Sequence, residues 1–561
     1  LKPLRLSAGS LAQQERGSAL PAGLMPLLRK RPAAADSRPA SRRATDRNGV
    51  ESSTDGQDQD EGEDRNGVES SADGQDDGEE FPEWLADMSG LCETQYQNTK
   101  MLDYFELAWG RLSEGDRALI ANNITDNTRS LATMCSGSGM AELAFDLVLS
   151  SLGKKPDLAF SCEIVPFKQQ HLKGIHAIVG GGGRCIFDDS ASLGAGAAKC
   201  VEHGQVCAVP KHPFMVIVGY SCKGLSSLMS GIDRGDVLPS GLGSSGGTCR
   251  DMLAYLEFAV PAIGILENVE EMAKSPSKSK NVAFLYDQLD KLGYAVQTEI
   301  LWANDYFLPQ RRKRAWAVIV HKATFGMDAA ASADFLSRVF GTAKALRAKP
   351  EQVDQFLLPA GDLRLADELA RRKEAAKGSS MDPDYPETHQ KFMTAKGVSW
   401  RTLKAPPCMS ESPWFQLCPK REQEIIAFAE STHGDCYVDC SQRIDRAAIV
   451  SPGMFATITP KGKVYMFTRD AAGLPQLNRF LLGVEAMELQ GFPVQLMQQR
   501  AGRAAPLTDP QCMDLAGNAF PGTIVIALIL GAFLHLPGAP VRQHPEPEDD
   551  LGDVLELVTS L

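Results

Sequence analysis

No Cys-x-x-Cys pair occurs among the 13 cysteines of this 561-residue sequence. Several cysteines, Cys162 and Cys185 among them, sit inside short apolar runs, so the pattern excludes a disulfide framework and reads as buried thiols in a reduced, intracellular protein. The close pairs, Cys200 with Cys207 and Cys436 with Cys440, lack a second pair at zinc-site spacing, and no metal is expected. Also missing is any uninterrupted apolar run of the roughly 20 residues that cross a bilayer. The longest, 524–536, contains Gly531 and His535, and no membrane role is expected. A surplus of positive charge is missing too: the formal net charge is -13, and residues 44–83, with 15 acids against 2 bases, account for it. Residues 1–43 are basic and the segment from Val541 is acidic, which leaves the middle near neutral. A nucleic acid would therefore have to be held by a local basic surface rather than by a global field. The sequence begins at Leu1 rather than Met, as a fragment would, with any targeting signal outside it.

Residues 46–58 (DRNGVESSTDGQD) return as 64–76 (DRNGVESSADGQD), a repeat with almost nothing to bury. Residues 1–82 are expected to be a disordered tail, because such a composition cannot offset chain entropy, and residues 541–561 an acidic one. Between them, apolar runs at 130–135, 158–162, 214–218, 262–266, 295–301 and 315–320 alternate with amphipathic stretches, after a helical pattern over 104–120. That alternation predicts βαβ units, hence an α/β fold with a parallel, Rossmann-like sheet. The pattern degrades over 323–478, which reads as a second, smaller domain inserted after a first at 83–322. Periodicity resumes over 479–540, where 523–536 looks like a buried helix packing back on the first domain.

Chemistry-bearing residues collect at the ends of the apolar runs. The run 130–134 leads through Cys135, Gly137 and Gly139 into a helical stretch, a turn that lets backbone approach a nucleotide-like ligand. Glu142 stands where a dinucleotide fingerprint has its third glycine. Glu163 ends the next run, 24 residues after Gly139, and suits a ribose diol; Asp188 or Asp189 ends the third and suits an adenine amino group. Three acids in succession favour an adenosine ligand without a pyrophosphate over three separate helix caps. Run 214–218 ends in Gly219-Tyr220-Ser221-Cys222, and run 262–266 in Glu267-Asn268. Neighbouring parallel strands deliver their ends to one crevice, so a thiol nucleophile and a proton-donating carboxyl group can meet over an electron-poor ring. The glycines and serines over 241–247 read as a mobile loop able to close over substrate. Alternation puts Gln310, Arg312 and Arg314 on one face of the last run. Leu489 to Pro493 and Gly517-Asn518 read as turns.

Taken in order, these pieces resemble the cytosine C5 DNA methyltransferase family, from about residue 130 to about residue 531. The resemblance implies an S-adenosylmethionine-binding catalytic domain over 83–322 and a target-recognition domain over 323–478, with 479–540 returning to the first. It implies that Cys222 attacks C6 of a flipped-out cytosine while Glu267 donates to N3, that Arg312 and Arg314 hold the base and Glu267, and that Asn268 fixes the cysteine loop. Cys135, Gly137, Gly139, Glu163, Asp188, Asp189 and Asn518 would line the cofactor side. DNA is the implied partner, with RNA less favoured, and a nuclear location is the matching expectation. Two departures stand out: Ser221 and Lys223 flank Cys222 where the family has proline and glutamine, and Cys135 replaces a common aromatic. Proline would fix the loop's backbone, whereas Lys223 is expected to depress the thiol's pKa. Two other readings stay open: a methyltransferase fold that regulates or binds DNA without catalysis, and the same chemistry on RNA.

Overall fold

A computed structural model of the chain describes residues 95–225, 236–241, 243–375, 385–498 and 507–538. The tails expected over 1–82 and 541–561 lie outside these residues. The helical pattern over 104–120 resolves into two helices, α1 (Lys100–Arg111) and α2 (Glu114–Asn123). Ser113 breaks it: its hydroxyl accepts from the Asp116 N–H and the Asp116 carboxylate accepts from the Ser113 N–H, a capping box that an apolar-period reading passes over.

The first domain then proceeds through β1 (Ser130–Met134), α3 (Met140–Ser150), β2 (Asp157–Cys162), α4 (Pro166–Ile178) and β3 (Cys185–Phe187). A small hairpin follows, β4 (Ala197–Lys199) with β5 (Val206–Ala208), and then β6 (Met215–Val218), the short α5 (Val237–Ser240) and α6 (Gly243–Ala259). The last part is β7 (Ile263–Asn268), α7 (Lys280–Lys291), β8 (Tyr294–Trp302), β9 (Gln310–Arg311) and β10 (Lys313–His321). Every expected strand forms, and seven make one sheet in the order β3-β2-β1-β6-β7-β10-β8. The strand order reverses at β1 and β6, the switch point outside which open α/β sheets hold their ligands.

The sheet is not wholly parallel. β10 lies between β7 and β8 and runs antiparallel to both. Only residues 303–312 separate β8 from β10, too few for the helical crossover a parallel neighbour requires. Both faces are covered, as the unbroken apolar strands demand. Met215, Ile217, Ile263 and Ile265 look to one face with α3, and Val216, Val218 and Leu266 look to the other with α6 and α7. In α3, Asp146 is buried and accepts from Tyr96 Oη (2.8 Å) and Gln95 Nε2 (2.9 Å).

Burial pushes the Asp146 carboxyl up to about 7 against the opposing pull of those two donors. The folded chain therefore binds a proton that the unfolded chain has already released near pH 4. The contribution is fully present below that pH and is lost as pH rises through 7. Asp146→Asn is expected to flatten this slope, worth on the order of 4 kcal/mol between pH 4 and 7.5. Urea midpoints at the two pH values measure it, and an unchanged difference would rule the residue out as its source.

After β10 comes α8 (Ala329–Ala345), which packs on β8 and on the last helix, so this segment belongs with the large sheet. The segment that follows holds α9 (Leu363–Ala375), α10 (Tyr385–Ala395), α11 (Pro407–Ser410), α12 (Pro413–Gln416) and α13 (Lys420–His433). Its strands are β11 (Cys436–Asp439), β12 (Ile449–Val450), β14 (Val464–Arg469) and β15 (Pro475–Phe480), in the order β12-β11-β14-β15, while β13 (Phe455–Ala456) instead pairs with β9. These elements share a hydrophobic core running from Leu365 to Leu482, with Trp414, Ile425 and Tyr465 inside it. The return comprises α14 (Gly483–Glu488), α15 (Val494–Gln498), α16 (Asp509–Asn518) and α17 (Gly522–Leu534). Every residue of α17 is buried, against α2, α3 and α8. At roughly 1.5–3 kcal/mol per buried large apolar side chain, this helix is a principal seal of the sheet's first face.

The β4–β5 hairpin brings together side chains that sequence spacing left apart. Cys200 and Cys207 do have metal-type partners: Cys185 and His203 lie with them, all four donor atoms within 4.8 Å of one another. Spacing compared cysteine only with cysteine and missed a histidine in the hairpin turn and a thiol on the neighbouring strand.

Candidate active site

The segment after β6 turns away from the sheet at Gly219, against which the Phe520 ring lies, and Gly219 N–H donates to Met134 O (3.3 Å). α6 then holds the loop. Ser221 N–H donates to Thr248 Oγ1 (3.0 Å), Ser221 Oγ meets Ser244 Oγ (3.0 Å), and Gly224 N–H donates to Ser245 Oγ (2.8 Å). A proline at 221 would lack the first of these donors, so this chain replaces a ring constraint with hydrogen bonds. The serines of 243–247 are thus the first turn of a 17-residue helix and not a mobile loop. The signal was legible, since Ser244 and Thr248 are four apart on one helical face.

Cys222 is half-buried. Burial raises its thiol pKa and Glu267 raises it further, while Arg314 and Arg312 pull it down. Lys223, expected to depress it, is exposed and is not among the main groups acting on the thiol, a part that falls to Arg314 and Arg312.

Strands β6 and β7 run parallel with Val218 opposite Leu266, so Gly219, the first residue beyond β6, comes beside Glu267, which is still in β7 and pairs with Trp316 of β10. Arg314 Nε lies 3.1 Å from Glu267 Oε1, both side chains largely buried. The pair is an ion pair without hydrogen-bond alignment, and among the described residues Oε1 has no hydrogen-bond partner. A buried carboxyl oxygen that has an ion-pair partner but no hydrogen bond, near a thiol, retains acceptor capacity for an outside atom. Asn268 Nδ2 donates to Tyr220 O (2.9 Å), tying the end of β7 to the cysteine loop.

Alternation along 310–314 holds in burial: Gln310 and Arg312 are buried, Arg311 is exposed. Arg312 does a different task from Arg314. Its guanidinium donates to the carbonyls of Ile458 (3.3 Å), Gly517 (3.3 Å) and Ala519 (2.9 Å), joining the segment after β13 to the α16–α17 turn. Burial lowers its pKa to about 9, which leaves it cationic at neutral pH. Gly517 makes the approach possible, because a Cβ there would stand 2.1 Å from Pro460 N. Gln310 Nε2 donates to Leu489 O (3.4 Å), so both late turns lean on this strand.

On the other side of the switch point, Cys135, Gly137 and Gly139 all adopt positive φ (54°, 54° and 73°), and Gly139 starts α3. Gly137 N–H donates to Glu163 Oε2 (3.0 Å) and Val165 N–H to Oε1 (2.9 Å), so the glycine turn and the acid form one unit. Each oxygen keeps acceptor capacity for a ligand. Of the two aspartates, Asp189 caps the following turn at Ala191, whereas Asp188 is half-buried and 3.5 Å from Lys199 Nζ. Asn518 is exposed and donates to Asp514 Oδ1 (3.2 Å), and Asp514 pairs with Lys168 (2.7 Å). Burial pushes the Cys135 thiol up to about 12, helped by Glu163 and Asp251 and opposed by Lys168. These two partners, Asp251 and the Lys168–Asp514 pair, were not singled out from sequence. Neither was the role of Glu142, which is fully buried and accepts from Thr133 and Ser161 (both 2.6 Å), clamping α3 to β1 and β2.

The sequence model of the family described as C-5 cytosine-specific DNA methylase matches residues 208–530. Over 466 residues the chain is 25% identical to the DNA (cytosine-5-)-methyltransferase DMT5 of Cryptococcus neoformans var. grubii, covering 76% of this chain and 18% of that protein. Over 482 residues it is 23% identical to the DMT5 of Verticillium dahliae, covering 72% and 19%. The chain thus spans less than a fifth of the length of these curated relatives. The crystal structure of S. pombe Dnmt2 methyltransferase aligns with 72% of this chain and 97% of its own, at 13% identity and a TM-score of 0.37. The family match runs from β5 to α17 and takes in Cys222, Glu267, the arginine strand and the late turns, so the chain belongs to the C-5 cytosine-specific DNA methylase family.

Proposed function

We propose that the described unit transfers a methyl group from S-adenosylmethionine to C5 of a cytosine in DNA, through a covalent bond from Cys222 Sγ to C6. The observation that carries this reading is the pairing of a half-buried thiol and an incompletely partnered carboxyl at adjacent parallel strand ends, with Arg314 on Glu267 and Asn268 on the loop.

The cofactor side fits such a donor. Glu163 and Asp251 act on the Cys135 thiol, Glu163, Asp189 and Asp188 on the Cys162 thiol, and Lys168, which also acts on Cys135, is taken up by Asp514. Acidic, acceptor-rich surroundings suit a ribose diol, an adenine amine and a sulfonium, and oppose a pyrophosphate. When bound, S-adenosylmethionine supplies an electrophilic methyl group on sulfur. Cys222, as thiolate, adds to C6 while Glu267 delivers a proton to N3, which moves the C5–C6 π electrons onto C5. After C5 takes the methyl, loss of its proton to a base restores the double bond and Cys222 leaves. Arg314 keeps Glu267 oriented, and Arg312 holds the α16–α17 turn behind it. Approach to C6 from the ring face requires the base to leave the stack, hence base flipping.

Incubation with labelled S-adenosylmethionine and either DNA or tRNA tests the reading, with label expected in DNA. Label in tRNA alone would reassign the substrate, and tight cofactor binding without transfer to either would favour a non-catalytic, DNA-regulating protein. The loop's hydrogen bonds give a finer expectation. Thr248→Val removes the acceptor of Ser221 N–H at constant volume and should slow transfer roughly 5-fold, the equivalent of about 1 kcal/mol, with little change in cofactor affinity. Unaltered turnover would mean that α6 does not position the thiol.

A further inference from the structure

We propose that Cys185, Cys200, His203 and Cys207 form a structural zinc site that fastens the β4–β5 hairpin to the edge of the large sheet. The four donors come from three places: Cys185 opens β3, Cys200 and His203 lie in the hairpin turn, and Cys207 is in β5.

All three sulfurs converge on a single atom. His203 Nδ1 is 3.5 Å from Cys185 Sγ, 3.3 Å from Cys200 Sγ and 3.5 Å from Cys207 Sγ. An imidazole nitrogen carries one lone pair or one hydrogen, so it can satisfy one thiol, not three. A central metal removes the conflict. With Zn–S of about 2.3 Å and Zn–N of about 2.0–2.1 Å, tetrahedral angles require S···N separations near ~3.5 Å and S···S near ~3.8 Å. The observed S···N distances match, and all donor pairs fall within 4.8 Å.

Chemistry selects the ion. Three thiolates and one imidazole make a soft to borderline set that favours zinc over magnesium or calcium, and four protein donors leave no open position for catalysis. On binding, the three thiols release their protons and neutral His203 coordinates through Nδ1, with no change of oxidation state. The location agrees with a structural role. β3 is the edge strand, three positions from β6, which carries the cysteine loop. The hairpin strands have three residues each, and Val206 is half exposed, so the hairpin buries little of its own. Its other ties include main-chain hydrogen bonds, Val201 N–H to Ile186 O (2.7 Å) and Asp188 N–H to Lys199 O (3.2 Å) among them, and the ion pairs Lys199–Asp188 (3.5 Å) and Lys173–Glu202 (3.2 Å). A metal would complete the attachment and cover the open edge of the sheet.

Metal analysis of the purified protein by mass spectrometry, after release with a mercurial reagent, should find about one zinc per chain. Cys185→Ser and Cys207→Ser should each abolish that zinc, Cys207→His should retain it as a Cys2His2 set, and Cys408→Ser, remote in sequence and in the other core, should leave it intact. Should the serine variants fail to fold, the wild-type protein exchanged with cobalt(II) gives an independent answer: intense d–d bands and thiolate charge transfer mark tetrahedral sulfur coordination. Zinc below about 0.1 per chain after reconstitution under reducing conditions, full zinc in Cys207→Ser, or an octahedral cobalt spectrum would each overturn the site.

Discussion

Cys222→Ala is expected to abolish methyl transfer, a loss on the order of 10^4-fold or more, while S-adenosylmethionine binding stays unchanged. The two halves of that expectation have separate sources in the fold. Cys222 follows β6, whereas Glu163 follows β2 and Asp188 follows β3, so the substitution removes the nucleophile without touching either acid. Cys222→Ser keeps the volume but offers a hydroxyl too weakly acidic to add to C6, and should be equally inactive. A covalent adduct between the protein and 5-fluorocytosine DNA should form with the wild type and disappear with either variant; its persistence would assign the bond to another residue. A pH dependence accompanies this. Since burial and Glu267 hold the thiol above its ordinary value, the thiolate fraction and kcat/KM should climb with pH above neutrality. Arg314 lowers that pKa, so Arg314→Gln should move the rise to higher pH, and a profile displaced the other way would contradict the assignment.

Arg312→Leu is expected to cost about 3 kcal/mol or more of stability and to remove activity with it. Three carbonyls, of Ile458, Gly517 and Ala519, lose their donor at once in a buried place, and each orphaned acceptor costs roughly 1–3 kcal/mol. Arg312→Lys should recover only part of this, because one ammonium cannot fork to three carbonyls on two segments. Chemical denaturation midpoints for the three proteins measure the series; a lysine variant as stable as the wild type would mean that the fork is dispensable. Cofactor affinity separates the effects further, since Arg312 braces the α16–α17 turn and touches none of the cofactor-side acids.

The central strands were readable because they are short runs of apolar residues buried on both faces, as 215–218 and 263–266 are. Their chemistry was readable for a related reason: parallel strands put their exits together, so Cys222 and Glu267 were predictable neighbours. What escaped is what depends on pairing direction and on contacts between distant segments. The antiparallel course of β10 follows from the short connection after β8, which apolar patterning does not register. α6 begins with Gly243, Ser244, Ser245, Gly246 and Gly247, residues of loop character that a helix retains here because Ser244, Ser245 and Thr248 anchor the cysteine loop. The thiol–imidazole cluster required both the β4–β5 turn and the β3 edge to be in place before its members became neighbours. Arg312 and Arg314 looked interchangeable in sequence, yet one serves a carboxylate and the other a chain turn.

Helix α17 also sets an order of events during biosynthesis. It covers α3, formed from residues 140–150, yet it is itself translated only at residues 522–534. Throughout the synthesis of everything between, the face of the sheet bearing Phe145 and Phe214 has no cover from this helix, although both rings end beside Phe533. Late, long-range closure of this kind leaves apolar surface of a nascent chain open to aggregation until α17 emerges.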